Sequence, residues 1–402
     1  MADPSACGTA CQFIKPDYPD MERRVHGRAR GAGDEVFFGP FQAMYRARMT
    51  STHHGAQWTG ITTSLAAELL AKGTVDAVLT MVPDAKDRWK PVPALITNAS
   101  DMAQARGMRM GYAPLLALLE DAQARKYRRL AVIGIPCQIF ALRKLEASLG
   151  FERLYVIGTP CSDNTSTEKF HDFLALLDAD PDSISYLEFR ADYRVELRFD
   201  DGRTRLIPFL NLPISDLAPD FFPLTCKTCV DYTNVLADIT VGYMAGEGDQ
   251  WLIVRNTRGA EMLDNLGNRI QLRAPGSKGR RHGAVKGFIA NTARAAGGLP
   301  LRRMPNWVRP IVSWLQPRTG PRGLEFARTR VEMKAAETIL HLRRALPAKM
   351  KNMIPAHVWT IAAPYGLTPE QGEARKGSVT EQTVGDAVMQ GKAMDQSPPR
   401  QQ

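Results

Sequence analysis

The sequence predicts an α/β fold with some α+β character: a parallel-sheet core, a β-hairpin region and a basic helical extension towards the C-terminus. Three observations predict it. L-A-V-I-G-I-P-C (130–137) and L-Y-V-I-G-T-P-C (154–161) match at six of eight positions. Each is a short apolar run of the kind a strand buried on both faces requires. Between them, F-A-L-R-K-L-E-A-S-L (140–149) has apolar residues at helical spacing. Strand, helix, strand at this length is a βαβ unit with parallel strands. Finally, Y-L-E-F-R-A-D-Y-R-V-E-L-R-F-D-D-G-R-T-R-L-I-P-F (186–209) alternates apolar and polar residues through a D-G turn, which predicts a hairpin.

The remaining elements follow in order. Residues 1–33 are rich in Gly, Pro and charge and read as irregular structure around Cys7 and Cys11. I-T-T-S-L-A-A-E-L-L-A-K-G (61–73) predicts a helix closed by a Gly cap. D-A-V-L-T-M-V (76–82) follows as a buried strand and G-Y-A-P-L-L-A-L-L-E-D-A (111–122) as a helix. After the βαβ unit and hairpin, A-D-I-T-V-G (237–242) and W-L-I-V-R-N (251–256) read as strands, and V-E-M-K-A-A-E-T-I-L-H-L-R-R (331–344) as a helix. The polar end, through Q-S-P-P-R-Q-Q, is expected to be disordered. The expected division is an N-terminal cysteine-containing segment (1–33), two domains (34–129 and 130–305), a helical extension (306–368) and a tail (369–402).

At 402 residues, with 44% hydrophobic and 23% charged residues, the chain has the composition of a globular protein. The first residues carry neither a basic nor an apolar leader region, and nothing approaches the roughly 18 apolar residues of a membrane span. The expected location is the cytoplasm, where cysteines stay reduced and serve metals or catalysis rather than disulfides. The net charge of +10 is concentrated in the last third, in S-K-G-R-R-H (277–282), 309–322 and 341–351. A basic face suits nucleic acid, an anionic membrane or an acidic protein, but no nucleic-acid motif or aromatic stacking series accompanies it.

The six cysteines are Cys7, Cys11, Cys137, Cys161, Cys226 and Cys229. In T-C-K-T-C-V-D-Y-T-N (225–234), Cys226 and Cys229 form a C-x-x-C. Zinc wants two close pairs with Cys or His partners nearby. A thioredoxin-like pair wants a helix opening that V-D-Y-T-N does not provide. An iron–sulfur cubane needs four converging thiolates. Cys137 and Cys161 follow prolines at matched strand ends and supply a second pair, so the cluster and zinc readings both stand on the residues alone.

G-I-P-C-Q, T-P-C-S-D-N and C-K-T-C-V-D-Y-T-N-x3-A-D-I-T-V-G together resemble the deazaflavin-reducing hydrogenase β-subunit family. With Y-L-E-F-R-A-D-Y-R-V-E-L-R-F and A-A-E-T-I-L-H-L-R-R, they look like its branch of ferredoxin-dependent 3,8-divinyl chlorophyllide 8-vinyl reductases, to which the 7-hydroxymethyl chlorophyll a reductases are similar. The resemblance implies an oxidoreductase of chlorophyll or bacteriochlorophyll biosynthesis that acts on a CH–CH bond. It implies FAD and a [4Fe-4S] cluster on Cys137, Cys161, Cys226 and Cys229. Reduced ferredoxin is the implied partner and a divinyl chlorophyllide-type tetrapyrrole the substrate; a homo-oligomer is compatible with all of this. Cys7 and Cys11 match part of a second-cluster region, but two thiolates do not complete a cubane, so a second cluster is expected only if further ligands are supplied.

No G-x-G-x-x-G and no Walker loop is present. The best phosphate candidate is H-G-A-Q-W-T-G-I-T-T-S-L (54–65), small and hydroxyl residues ahead of a helix whose free N–H groups favour an anion. The resemblance places FAD here, on Gly55, Ala56, Gln57, Thr59, Gly60, Thr62 and Thr63, with Asn98, Arg106 and the run G-M-R-M-G-Y (107–112) as further candidates. His54 is the candidate proton donor, with His53 beside it.

Overall fold

The computed structural model describes residues 8, 10–14, 16–244, 248–296 and 307–375. Cys7 and residues 376–402 of the expected tail lie outside the described residues. The strands are β1 (Ala43–Met49), β2 (Ala77–Pro83), β3 (Pro91–Ile96), β4 (Arg129–Gly134), β5 (Arg153–Gly158), β6 (Ile184–Phe189), β7 (Arg194–Phe199), β8 (Thr204–Pro208), β9 (Ile239–Tyr243), β10 (Gln250–Val254) and β11 (Ile270–Arg273).

One eight-stranded sheet, ordered β11-β1-β10-β9-β5-β4-β2-β3, organises the chain. Its centre, β2-β4-β5-β9, is parallel. Both flanks are antiparallel, β3 on one side and β10, β1 and β11 on the other. The predicted α/β class and the βαβ unit are found as expected, with β4 and β5 in parallel register from Arg129 opposite Arg153 to Gly134 opposite Gly158. The sheet runs across the 129/130 boundary, because β1 pairs with β10.

Alternation along each central strand explains why these segments read as unbroken apolar runs. Val78, Ala131, Tyr155 and Ile157 face the helices Ile61–Ala71 and Thr257–Leu266. Their neighbours Ala77, Leu79, Leu130, Val132, Leu154 and Val156 face Tyr18, Met21, Ile139, Phe140 and Leu142 on the opposite side. A side-chain period of two with helices on both faces buries Leu130–Val132 and Leu154–Gly158 without a break. Each fully buried aliphatic side chain contributes about 1.5–3 kcal/mol.

Four local expectations change. The 111–122 segment makes a 3-10 turn, Leu115–Leu118, and then a short helix, Leu119–Ala124. A Cβ at Gly111 would lie 2.3 Å from Thr167 Oγ1, and Pro114 ends the extended stretch that follows. The 186–209 hairpin is a three-stranded meander, β6-β7-β8, with an added turn at Tyr193 (φ +61) before the Asp201–Gly202 turn. The 1–33 segment contains a helix, Tyr18–His26, capped by Gly27 in the left-handed region. Residues 369–375 include a turn in which Glu373 accepts hydrogen bonds from Arg343.

The predicted 331–344 helix extends over Leu324–Ala345 and packs with Ala356–Ala362 against Phe38 and Trp251. Among the described residues, no helix is long and apolar enough to cross a membrane.

Candidate functional site

The carboxyl ends of β4 and β5 are tied to the C-x-x-C loop by its own asparagine. Asn234, at φ +58, donates from Nδ2 to Gly134 O at 2.8 Å and to Thr159 O at 3.3 Å. A Cβ at Gly158 would fall 2.7 Å from Asn234 Cγ, so glycine at that strand end is what admits the amide. The Cys161 N–H donates to Tyr232 O at 3.0 Å. Behind this, buried Asp238 accepts from Arg143, Arg258, Asn256 and the Val156 N–H, joining the Pro136–Leu149 helix, β5 and the Thr257–Leu266 helix.

This bracing brings Cys137, Cys161, Cys226 and Cys229 together. Burial pushes all four thiols up, Cys137 to about 11, Cys229 to about 12 and Cys161 well above its ordinary value. After burial, the causes for Cys161 are the other three cysteines and then Asp163, so each of them lies within its electrostatic reach. Cys137 opens to solvent and the other three are half-buried. All five described cysteines are free of disulfides, and no group of three or more His, Cys, Asp or Glu among the described residues closes tightly enough to hold one metal ion. Four cysteine thiols are the donor set of an iron–sulfur cluster, and zinc takes the same set.

The groups around the thiols are donors and a cation. Gln12 Nε2 donates to Cys229 Sγ at 3.2 Å and also to Tyr18. The Tyr112 hydroxyl donates to Asn164 O at 3.1 Å, and both residues lie near enough to Cys226 to lower its thiol against burial, as the N–H groups of Cys137 and Gln138 do for Cys137 at the start of its helix. Buried Lys334 pairs with Asp163 Oδ1 at 2.7 Å and Glu337 Oε2 at 2.8 Å. Burial draws its ammonium down, but Glu337, Asp163 and Cys229 outweigh that and hold it above its ordinary value. N–H donors and a nearby cation stabilise anionic sulfur. Cys11 is half-buried and adjoins Gln12, so the N-terminal segment runs beside this corner.

The second half of the site is the loop before the Ile61–Ala71 helix. Gly55 and Gly60 take positive φ, as does Trp58 (φ +53), whose ring lies 5.0 Å from that of Tyr243. Several of the loop's polar groups are engaged by the protein. Thr59 donates to Gln250 Oε1 at 2.8 Å, and the Ile61 N–H reaches the same oxygen at 3.3 Å. The Trp58 N–H donates to Glu188 Oε1 at 2.6 Å, Gln57 to Leu187 O at 3.0 Å, and Thr63 to Gly60 O at 3.2 Å. Ala56 and Thr62 are half-buried beside them. His54 is exposed, and Arg106 reaches only its carbonyl, at 3.5 Å. Asn98 is exposed and bonds Asp101 at the start of a 3-10 turn.

Arg106 and Arg109 supply what that loop lacks. Arg109 spends its terminal nitrogens on the carbonyls of Gln104, Ala105, Arg106 and Gly107, and burial pulls its guanidinium down to about 10. The Nε atoms of Arg106 and Arg109 are buried without a hydrogen-bond partner. Two orphaned guanidinium donors suit an anion such as a phosphate. The segment Arg106–Tyr112 then runs between the halves, since Arg106 reaches the His54 carbonyl and Tyr112 lies within the electrostatic reach of Cys226. Six peptide steps span at most about 21 Å.

Reading the sequence missed Gln12, Lys334 and Gln250, whose contacts are long-range and leave no local pattern; Glu188 reads from its alternating strand as part of a solvated charged face, but it is buried and accepts from the Trp58 N–H. Arg109 lay inside the flagged 107–112 run, and Asn234 inside the quoted C-x-x-C motif.

Comparison with known proteins agrees with this architecture. Residues 44–120 match the coenzyme F420 hydrogenase/dehydrogenase β-subunit N-terminal model and residues 127–277 the corresponding C-terminal model. The chain is 35% identical over 375 residues to 7-hydroxymethyl chlorophyll a reductase, chloroplastic, of Oryza sativa subsp. japonica, covering 89% of this chain and 79% of that one. It is also 35% identical over 361 residues to an uncharacterized protein of Nostoc sp., covering 89% of each. A chain from the structure of the F420-reducing [NiFe] hydrogenase complex of Methanosarcina barkeri shares the fold, with a TM-score of 0.52 at 21% identity over 59% of this chain and 84% of that one. The chain belongs to the coenzyme F420 hydrogenase/dehydrogenase β-subunit family.

Proposed function

We propose that this chain is an iron–sulfur flavoprotein reductase acting on a chlorophyll-type tetrapyrrole. In this reading it converts the 8-vinyl group of 3,8-divinyl chlorophyllide or protochlorophyllide to ethyl with electrons from reduced ferredoxin. The observation that carries it is the gathering of four free thiols, Cys137, Cys161, Cys226 and Cys229, near a segment whose Arg106 and Arg109 keep buried, unpartnered Nε donors. Cys137, Cys161, Cys226 and Cys229 would hold a [4Fe-4S] cluster, and Arg106, Arg109 and the Gly55–Thr63 loop would hold the phosphates of FAD. When bound, these groups supply one-electron and two-electron carriage, respectively. The net change adds two electrons and two protons across one C=C bond and oxidises two one-electron donors.

The chain's own residues orient, exclude water and move protons. Trp58 and Tyr243 form an aromatic wall beside the loop, and a flat macrocycle suits such a wall. His54, exposed beside the loop, is the proposed proton donor. The donors around Cys226 and Cys229, with Lys334, favour the thiolate forms that bind metal.

A second reading, reduction of a 7-hydroxymethyl chlorophyll, draws on the 35% identity to the rice protein of that name. Anaerobic assays with reduced ferredoxin separate the two, because divinyl chlorophyllide gives an ethyl product and hydroxymethyl chlorophyll a methyl product. The cofactor reading is tested by iron and flavin analysis with EPR. The expected result is a cluster signal that disappears in Cys226→Ala; zinc without iron, or a fully active Cys226→Ala protein, overturns it.

A further inference from the structure

Between Asp264 and Glu325 the sequence has 12 Lys and Arg residues and no acidic residue. Within that stretch, the Arg309–Thr319 helix is seated by its inner side on the Phe209–Asn211 turn that follows β8. Its far end is fixed where the Tyr193 hydroxyl donates to Pro321 O. The outward side carries Trp307, Ile311 and Trp314, exposed to 76%, 53% and 62%, with Leu315 beside them. At about 100° per residue these positions fall on one stripe that begins just ahead of the helix. Arg318 continues the stripe and lays its guanidinium 4.6 Å over the Trp314 ring. The basic residues Lys278, Arg280 and Lys286 are exposed in the neighbouring segments.

We infer that this helix and its basic surroundings form a docking face for an anionic lipid surface. The inference stands independently of the redox reading. Two tryptophans and an isoleucine in the open cost free energy in water and gain it at the headgroup–acyl boundary, where indole rings concentrate. Cations flanking an apolar stripe add attraction to anionic headgroups, and the stretch itself contributes no carboxylate to oppose it. An acidic protein partner is the other occupant that such a face fits, and the measurements below separate the two.

The full-length protein is sedimented with vesicles of phosphatidylcholine alone and of phosphatidylcholine mixed with phosphatidylglycerol. The expected result is binding to the mixed vesicles, a blue shift of tryptophan emission, and weakening at high salt. Trp307→Ala/Trp314→Ala lowers partitioning by about tenfold or more, since each 1.4 kcal/mol of lost burial is a factor of ten, and leaves soluble-phase reductase activity unchanged. Trp307→Phe/Trp314→Phe keeps most of the binding and shows that a folding defect is not the cause. Three results overturn the inference: no binding to mixed vesicles, undiminished binding by the Ala variant, or a variant defective only in binding acidic ferredoxin, which would make the face a protein contact.

Discussion

The cysteine corner and the glycine loop are both rich in polar groups, but they treat their polar atoms in opposite ways. In the loop, Thr59, the Ile61 N–H and the Trp58 N–H have protein acceptors, Gln250 and Glu188, so the turn is complete by itself. In the corner, four thiols are gathered where burial raises them all and neighbouring cysteines raise Cys137, Cys161 and Cys229 further, and the donors around them are suited to sulfur that carries charge. Buried polar groups ordinarily find partners. A place where the fold concentrates groups that destabilise one another is a place built for something else to bind. The loop's share of that signal is confined to the orphaned Nε atoms of Arg106 and Arg109.

Breaking the corner's cation should produce the largest effect on folding. Lys334→Met strands Asp163 and Glu337, both mostly buried, without their ammonium. Removing one partner of a buried ion pair costs about 3–5 kcal/mol. Urea denaturation of the apo and cofactor-loaded protein measures it, and a loss below about 1 kcal/mol would mean that the corner is as self-sufficient as the loop.

His26 gives a smaller effect with a defined pH window. Its Nε2 donates to Val235 O at 2.7 Å, and Nδ1 faces the Asn256 amide at 3.3 Å, so the neutral ring is braced against the segment that follows Cys229. Burial and then Arg255 pull its pKa from 6.5 to about 3. The unfolded chain therefore binds a proton that the folded chain does not between those values. The stabilisation is complete above pH 6.5 and is lost as pH falls towards 3, at up to about 1.4 kcal/mol per pH unit. His341, pulled to about 4 by burial and then by Lys227 and Lys334, adds in the same direction. Asp231, raised by burial to about 6, opposes both between its ordinary value and that pH. His26→Gln should flatten the acid limb of stability against pH by about one proton relative to the parent protein. An unchanged slope would show that His26 is protonated as readily in the folded chain as in the unfolded one.

What could be read from the sequence follows the same division. Strands β4 and β5 were legible because both their faces are buried and the apolar run is unbroken. β1 was not, because Arg46 and Arg48 interrupt its pattern and pair with Asp249, more than 200 positions away. The Tyr18–His26 helix is short and polar apart from the residues it buries, so a charged composition concealed it. The four cysteines were legible because their chemistry is unusual wherever it occurs. Lys334, Gln12 and Gln250 are ordinary residues whose importance comes from neighbours far along the chain. Asn234 was in plain view, but its role depends on a left-handed backbone that sequence pattern does not encode.

The smallest effects decide how far the loop differs from the corner, and they come as a pair. Thr59→Val removes one hydrogen bond to Gln250 and should cost about 1 kcal/mol of stability. Because that bond is internal, flavin content should stay at the parent level. Arg106→Gln leaves the loop's internal bonds intact but removes a guanidinium with a buried, unpartnered Nε. Charge-assisted bonds contribute about 1.5–3 kcal/mol, so flavin affinity should fall by about tenfold or more while the melting temperature of the flavin-free protein changes little. Flavin release measured by fluorescence during dilution distinguishes the two variants. If Thr59→Val sheds flavin and Arg106→Gln does not, the anion sits on the helix N-terminus after all, and the loop is a ligand cradle of the same kind as the cysteine corner.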